Sequence, residues 1–81
     1  MKLPRDLSGS KLARKLARYG YQVDHQTGSH MRLCSNFTGK QHSLTIPNHI
    51  DLKIGTLSSI LDDVAKYLGK SKQQLMKELF G

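Results

Sequence analysis

Two short stretches, HMRLC (His30–Cys34) and SLTIP (Ser43–Pro47), alternate strictly between inward-type and outward-type side chains. Successive side chains of a strand point to opposite faces, so each stretch reads as a strand with one apolar face. Met31 and Leu33 share the apolar face of the first, Leu44 and Ile46 that of the second. His30, Arg32 and Cys34 then fall on the polar face, with Ser43 and Thr45. Pro47 closes the second stretch, because it cannot donate to a sheet ladder. A slip of one residue would invert every assignment. The pattern demands a sheet covered on one side only, and it limits what the rest of the chain can be.

A third strand precedes these two. YQVDH alternates with Tyr21 and Val23 on one side and Gln22 and Asp24 on the other, as a half-buried strand does. QTG and FTGK are short turns, so the three strands form an antiparallel meander. The flanks have helical spacing. SGSKLARKLARYG reads as a helix from about Ser10 to Tyr19, capped by Ser8 or Ser10 and ended by Gly20. Leu12, Ala13, Leu16 and Ala17 form its apolar stripe, and Lys11, Arg14, Lys15 and Arg18 form a basic one. NHIDLKIG is a connecting loop. TLSSILDDVAKYLG is a helix with Thr56 as its cap, apolar positions at Leu57, Ile60, Leu61, Val64 and Leu68, and Gly69 as its stop. SKQQLMKELF is a short last helix, in which Ser71 and Gln74 make a capping-box pattern and Leu75, Leu79 and Phe80 the apolar side. The order places the chain in the α+β class: one small domain over residues 1–81, with helices on one face of a three-stranded antiparallel sheet.

Size and charge bound the function. A chain of 81 residues has a thin core, so an active site should be shallow and should take a substrate lying across the surface. The net charge of +7 points to a polyanionic partner. Residues 1–53 hold nine Lys and Arg against three acids, while residues 54–81 hold four against three, so the basic surface belongs to the first two thirds. The single cysteine, Cys34, excludes an intramolecular disulfide. No apolar run approaches a membrane span, and MKLPRDLSGS lacks the apolar stretch of a signal peptide; the expected setting is the cytoplasm.

Four histidines and one cysteine show no close ligand spacing, so neither a metal site nor a cofactor is expected. Cys34 lies four residues from His30, about 13 Å along a strand, too far for a nucleophile–base pair. The GSH turn offers backbone amides to a phosphate, a weak signal alone. His30 with the basic residues is more specific. RNA brings its own nucleophile, the 2′-hydroxyl, and an enzyme that cleaves it needs a base, an acid and positive charge near the phosphate. Histidine titrates near neutral pH and suits the proton steps. Arg32, about 7 Å along the same strand face, suits the charge. The pattern also fits a plain surface histidine in a hairpin, and the helix-1 basic stripe fits either a solvated face or a phosphate-contacting one.

The fragments RYGY, TGSHMRL, SLTIPNH, IGTLSSIL and GKSKQQLMKEL occur in that order over nearly the whole chain. Together they resemble the HicA family, the toxin halves of prokaryotic HicA–HicB toxin–antitoxin systems. The resemblance implies a fold similar to double-stranded-RNA-binding domains, α-β-β-β-α with an extra short C-terminal helix. It implies a ribosome-independent, metal-independent ribonuclease that cuts messenger RNA and arrests growth, an mRNA interferase of the stress response. It also implies a HicB antitoxin that neutralises the toxin by binding it, with operator DNA reached only through that complex. The histidine of the family's GSH motif carries over onto His30 as the catalytic residue. Lys11, Arg14, Lys15, Arg18, Ser29 and Arg32 are the expected RNA contacts. His49 matches the histidine of a second motif and reads as a loop position first, a substrate contact second.

Two other readings stay open at this level. One is an RNA-binding module without activity. The start of the long helix, GTLSS, carries no lysine, which counts against duplex binding and favours a single strand across the sheet. The other is a helix-turn-helix DNA reader over VAKYLGKSKQQLMKEL, whose second helix offers mainly Gln73, Gln74 and Lys77 and leaves the strands without a role.

Overall fold

The computed structural model describes residues 3–81; Met1 and Lys2, counted in the expected 1–81 domain, lie outside the described residues. Helix α1 spans Gly9–Leu16 and is capped by Ser8, whose Oγ accepts the Lys11 amide at 3.1 Å. It tightens into a 3₁₀ turn over Ala17–Tyr19 and stops at Gly20, which takes the left-handed conformation at φ 81°. Strands β1 (Gln22–Thr27), β2 (His30–Ser35) and β3 (His42–Pro47) form one antiparallel sheet in the order β1-β2-β3. Helices α2 (Ile54–Leu68) and α3 (Lys72–Phe80) follow. The chain is thus a small α+β fold, α-β-β-β-α-α, as the periodicity predicts.

The sheet is one-sided in the predicted sense. Met31, Leu33, Leu44 and Ile46 are buried under the helices, while His30, Arg32, Ser43 and Thr45 on the other face are exposed. Leu12 and Leu16 of α1, Leu57, Leu61 and Val64 of α2, and Leu75 and Leu79 of α3 complete the same core. Asn48 donates to the Ser29 carbonyl at 2.6 Å, which fixes the phase of the β2–β3 ladder. Alternation from that bond turns the missing N–H of Pro47 toward the free edge of β3, where no ladder bond is lost.

Some details depart from the expected pattern. Ala17, expected in the apolar stripe of α1, is exposed in the 3₁₀ turn. Strand β1 is exposed along its whole length, Val23 included at 46%, and only Tyr21 just before it is buried. The helices pack against β3, the opposite edge of the sheet, and leave the apolar side of β1 uncovered. Thr56 is not the cap of α2. The helix starts at Ile54 with Lys53 as N-cap and no side-chain cap bond. Tertiary anchoring replaces the cap: Leu52 is buried and donates to the Leu7 carbonyl at 2.8 Å, so the chain is already fixed when the first turn closes through Leu57 N–H to Lys53 O at 2.9 Å.

Helix α3 is locked to α1. Lys15 donates to the Leu79 carbonyl at 3.2 Å and Arg18 to the Glu78 carbonyl at 2.5 Å, so two cations serve the C-terminal carbonyls of α3. The Glu78 carboxylate accepts from Lys70 at 2.7 Å, from the Tyr19 hydroxyl, and from Gln74 at 2.8 Å. These donors, Lys70 foremost, hold its pKa down at about 2. Burial, aided by the same carboxylate, pushes Tyr19 up to about 12. With Leu75, Met76 and Leu79 buried, α3 acts as a packing element.

Candidate functional site

His30 is placed by a tight hairpin. Thr27 and His30 are its closing pair, and only Gly28 and Ser29 lie between them. Gly28 has φ 54° and Ser29, like every described non-glycine residue, does not have positive φ, the sign pattern of a type II′ turn that matches strand twist. The Ser29 carbonyl is held by the Asn48 amide at 2.6 Å, so the turn is tied to the end of β3. Across the ladder His30 faces Thr27 on one side and Pro47 on the other.

The histidine lines a shallow groove of about 550 Å³ between the free edge of β3 and α2. Thr45 and Pro47 supply one wall; Gly55, Ser59 and Asp63 supply the other. The groove is open to solvent, as the thin core requires. Arg32, one step along β2, lies between Thr45 and His25 on the neighbouring strands. Its only polar side-chain contact among the described residues is a long 3.5 Å bond to Ser43 Oγ, which leaves the guanidinium available.

The α1 cations are divided. Lys11, Arg14 and Lys15 line a second shallow depression of about 540 Å³ with Pro4, Asp6 and Leu7, and it shares no residue with the His30 groove. Lys15 and Arg18 also hold the end of α3 through the bonds described above, and they lie over the Phe80 and Tyr19 rings at 5.7 Å and 5.5 Å. Among the described residues Lys11 and Arg14 carry no such tie. The structure brings His30, Ser29 and Arg32 together and sets the α1 stripe apart from them, since α1 packs on the buried side of the sheet.

The remaining histidines and the cysteine differ in role. His42 is half-buried, stacks on Tyr67 with ring centroids 4.8 Å apart, and its Nδ1 lies 2.7 Å from the Tyr21 hydroxyl. His49 is exposed, and its backbone carbonyl accepts from Gly9 at 2.9 Å. Cys34 donates to Asp24 Oδ2 at 2.8 Å and lies 3.0 Å from Ser43 Oγ. Among the described residues no three His, Cys, Asp or Glu side chains converge as a ligand set, and no helix is long and apolar enough to cross a membrane.

His25 was not legible as a site residue. Simple alternation puts it with Tyr21 and Val23, on the core side. The β1–β2 register shifts between Val23 and His25: Val23 pairs with Leu33, but His25 pairs with Arg32. The extra residue, Asp24, is a bulge, and it turns His25 to the open face beside Arg32. Nothing in the local sequence marks that bulge.

A family model described as the HicA toxin of bacterial toxin–antitoxin systems matches residues 9–66. That span contains α1, all three strands and most of α2, and with them His30 and Arg32. No curated protein and no solved structure matches the chain.

Proposed function

The chain belongs to the HicA family of bacterial toxin–antitoxin toxins, and on that premise we propose that it is an endoribonuclease that cuts messenger RNA through His30 and so inhibits translation. The observation that carries the reading is the exposure of His30 beside Arg32 on the sheet face that the helices leave open. A single strand laid across that face presents its phosphates to Arg32 and a ribose to His30. One proton-transfer group takes the 2′-hydroxyl proton as that oxygen attacks phosphorus. A second gives a proton to the departing 5′-oxygen, and the products are a 2′,3′-cyclic phosphate and a 5′-hydroxyl. Arg32 stabilises the charge that builds on the phosphoryl oxygens. The nucleophile comes from the RNA, so the reaction needs no metal and no cofactor. Ser29 contributes beside His30. Of the α1 cations expected to contact RNA, Lys11 and Arg14 are those best placed to follow the backbone away from the site, while Lys15 and Arg18 are engaged chiefly with the end of α3. The protein partner is a HicB-type antitoxin, operator DNA is met only within that complex, and the setting is the cytoplasm.

The test is incubation with a defined single-stranded RNA in EDTA, beside His30→Ala, with products resolved on a gel. Cleavage by the parent protein should fall by roughly 10²- to 10⁴-fold in the variant while RNA affinity is retained. Equal cleavage by both proteins would overturn the assignment.

A further inference from the structure

We propose that His25 is the second proton-transfer group of this site, working with His30 on either side of Arg32; the inference rests on the ribonuclease reading above. In-line displacement places the entering 2′-oxygen and the leaving 5′-oxygen on opposite sides of phosphorus, so one imidazole cannot serve both at the same moment. A second group must approach from the far side. The bulge at Asp24 supplies one. His25 lies directly opposite Arg32, and Thr27 directly opposite His30, so the two histidines are diagonal neighbours on adjacent strands. Such neighbours have backbones about 7–8 Å apart, a span that two imidazoles bracketing a phosphate can close. Arg32 lies on the same face within that span.

The His25 ring is already oriented. Its Nε2 lies 2.7 Å from the Thr27 hydroxyl. A hydroxyl both donates and accepts, so Thr27 holds the ring in its neutral and its protonated form alike, and Nδ1 is left for substrate. A group that cycles between the two forms needs such a partner. The charged and titratable groups that face the couple are Arg32 and Cys34 from β2, Asp24 from β1, and Asp63 from α2 across the groove. In the step itself, the neutral imidazole accepts the 2′-hydroxyl proton as the O2′–P bond forms. The protonated imidazole gives its proton to O5′ as the P–O5′ bond breaks. Exchange with water resets both rings.

Cleavage of single-stranded RNA is measured from about pH 5 to 9 for the parent protein and His25→Ala, with RNA affinity measured in parallel. The parent should give a bell-shaped profile. The variant should lose one limb and fall by roughly 10²-fold or more, with affinity within about threefold of the parent. A variant that keeps both limbs overturns the proposal, whether its rate is unchanged or merely lowered. A second measurement does not depend on turnover: the ring signals of His25 and His30 are followed by NMR as an uncleavable oligonucleotide, 2′-deoxy at the scissile position, is added. Both rings should shift with one dissociation constant. Movement of His30 alone removes His25 and leaves the ribonuclease reading standing. A parent protein that neither cleaves nor shifts His30 defeats that reading itself, and this inference with it.

Discussion

Gly9 is where α1 touches the end of β3, and replacing it with alanine tests how the site is held. A Cβ at Gly9 would lie 2.0 Å from the Pro47 carbonyl oxygen, 3.1 Å from its carbon and 3.3 Å from Asn48 Cα. All three are backbone atoms, so no rotamer change relieves the clash. Reaching ordinary contact distance requires α1 and β3 to part by more than about 1 Å. That movement strains or breaks the Gly9 N–H bond to the His49 carbonyl, 2.9 Å long, a loss of about 1 kcal/mol. Overpacking of this kind costs about 1–3 kcal/mol. The helix propensity of alanine returns at most about 1 kcal/mol. The net expectation for Gly9→Ala is a loss of about 1–3 kcal/mol, with the melting temperature falling roughly 4–8 °C for each kcal/mol in a chain this small. Gly55→Ala is the matched control, since a Cβ there meets nothing within 4 Å and the residue is helical. It should gain about 0.5–1 kcal/mol. Urea unfolding of the parent and both variants decides the matter. A Gly9→Ala protein as stable as its parent would refute the close-approach argument. Because Pro47 pairs with His30, RNA cleavage by Gly9→Ala should also fall, with the groove wall displaced.

Three further expectations concern other parts of the molecule. The folded-state pKa of Glu78 lies near 2, below its unfolded value, so its interactions stabilise the protein above the unfolded pKa and are lost as pH falls from about 5 toward 2; urea midpoints across that range should drop for the parent and drop less for Glu78→Gln. Ser35 is buried, donates to the Tyr19 carbonyl at 2.7 Å and accepts from Phe37 at 3.1 Å, so Ser35→Ala should cost about 1–3 kcal/mol in urea unfolding. Neutralising Lys11 and Arg14 should reduce the salt slope of single-stranded RNA binding by about 1.4, whereas neutralising Lys15 and Arg18 should chiefly lower the melting temperature. An unchanged slope for the first pair would make that face merely solvated.

Much of this protein is determined by sequence within a few residues' reach. The alternation of Met31 and Leu33 with His30 and Arg32, and of Leu44 and Ile46 with Ser43 and Thr45, fixes which sheet face is covered, because side-chain direction along a strand follows a period of two. Gly20, Gly28 and Gly69 stand where the chain takes left-handed turns, and Ser8 and Ser71 stand where helix amides need an acceptor. The exposure of His30 follows from the same local rules. What tertiary structure decides is set by partners distant in the chain. Lys15 and Arg18 belong to the same stripe as Lys11 and Arg14, yet they meet carbonyls of α3 more than fifty residues away and become structural. The start of α2 is fixed by Leu52 docking on Leu7 rather than by a capping side chain. His25 reaches the open face only because Asp24 is an unpaired extra residue in the β1–β2 ladder. A bulge is a mismatch between two strands, so neither strand alone encodes it; pairing creates it, and with it the second histidine of the site.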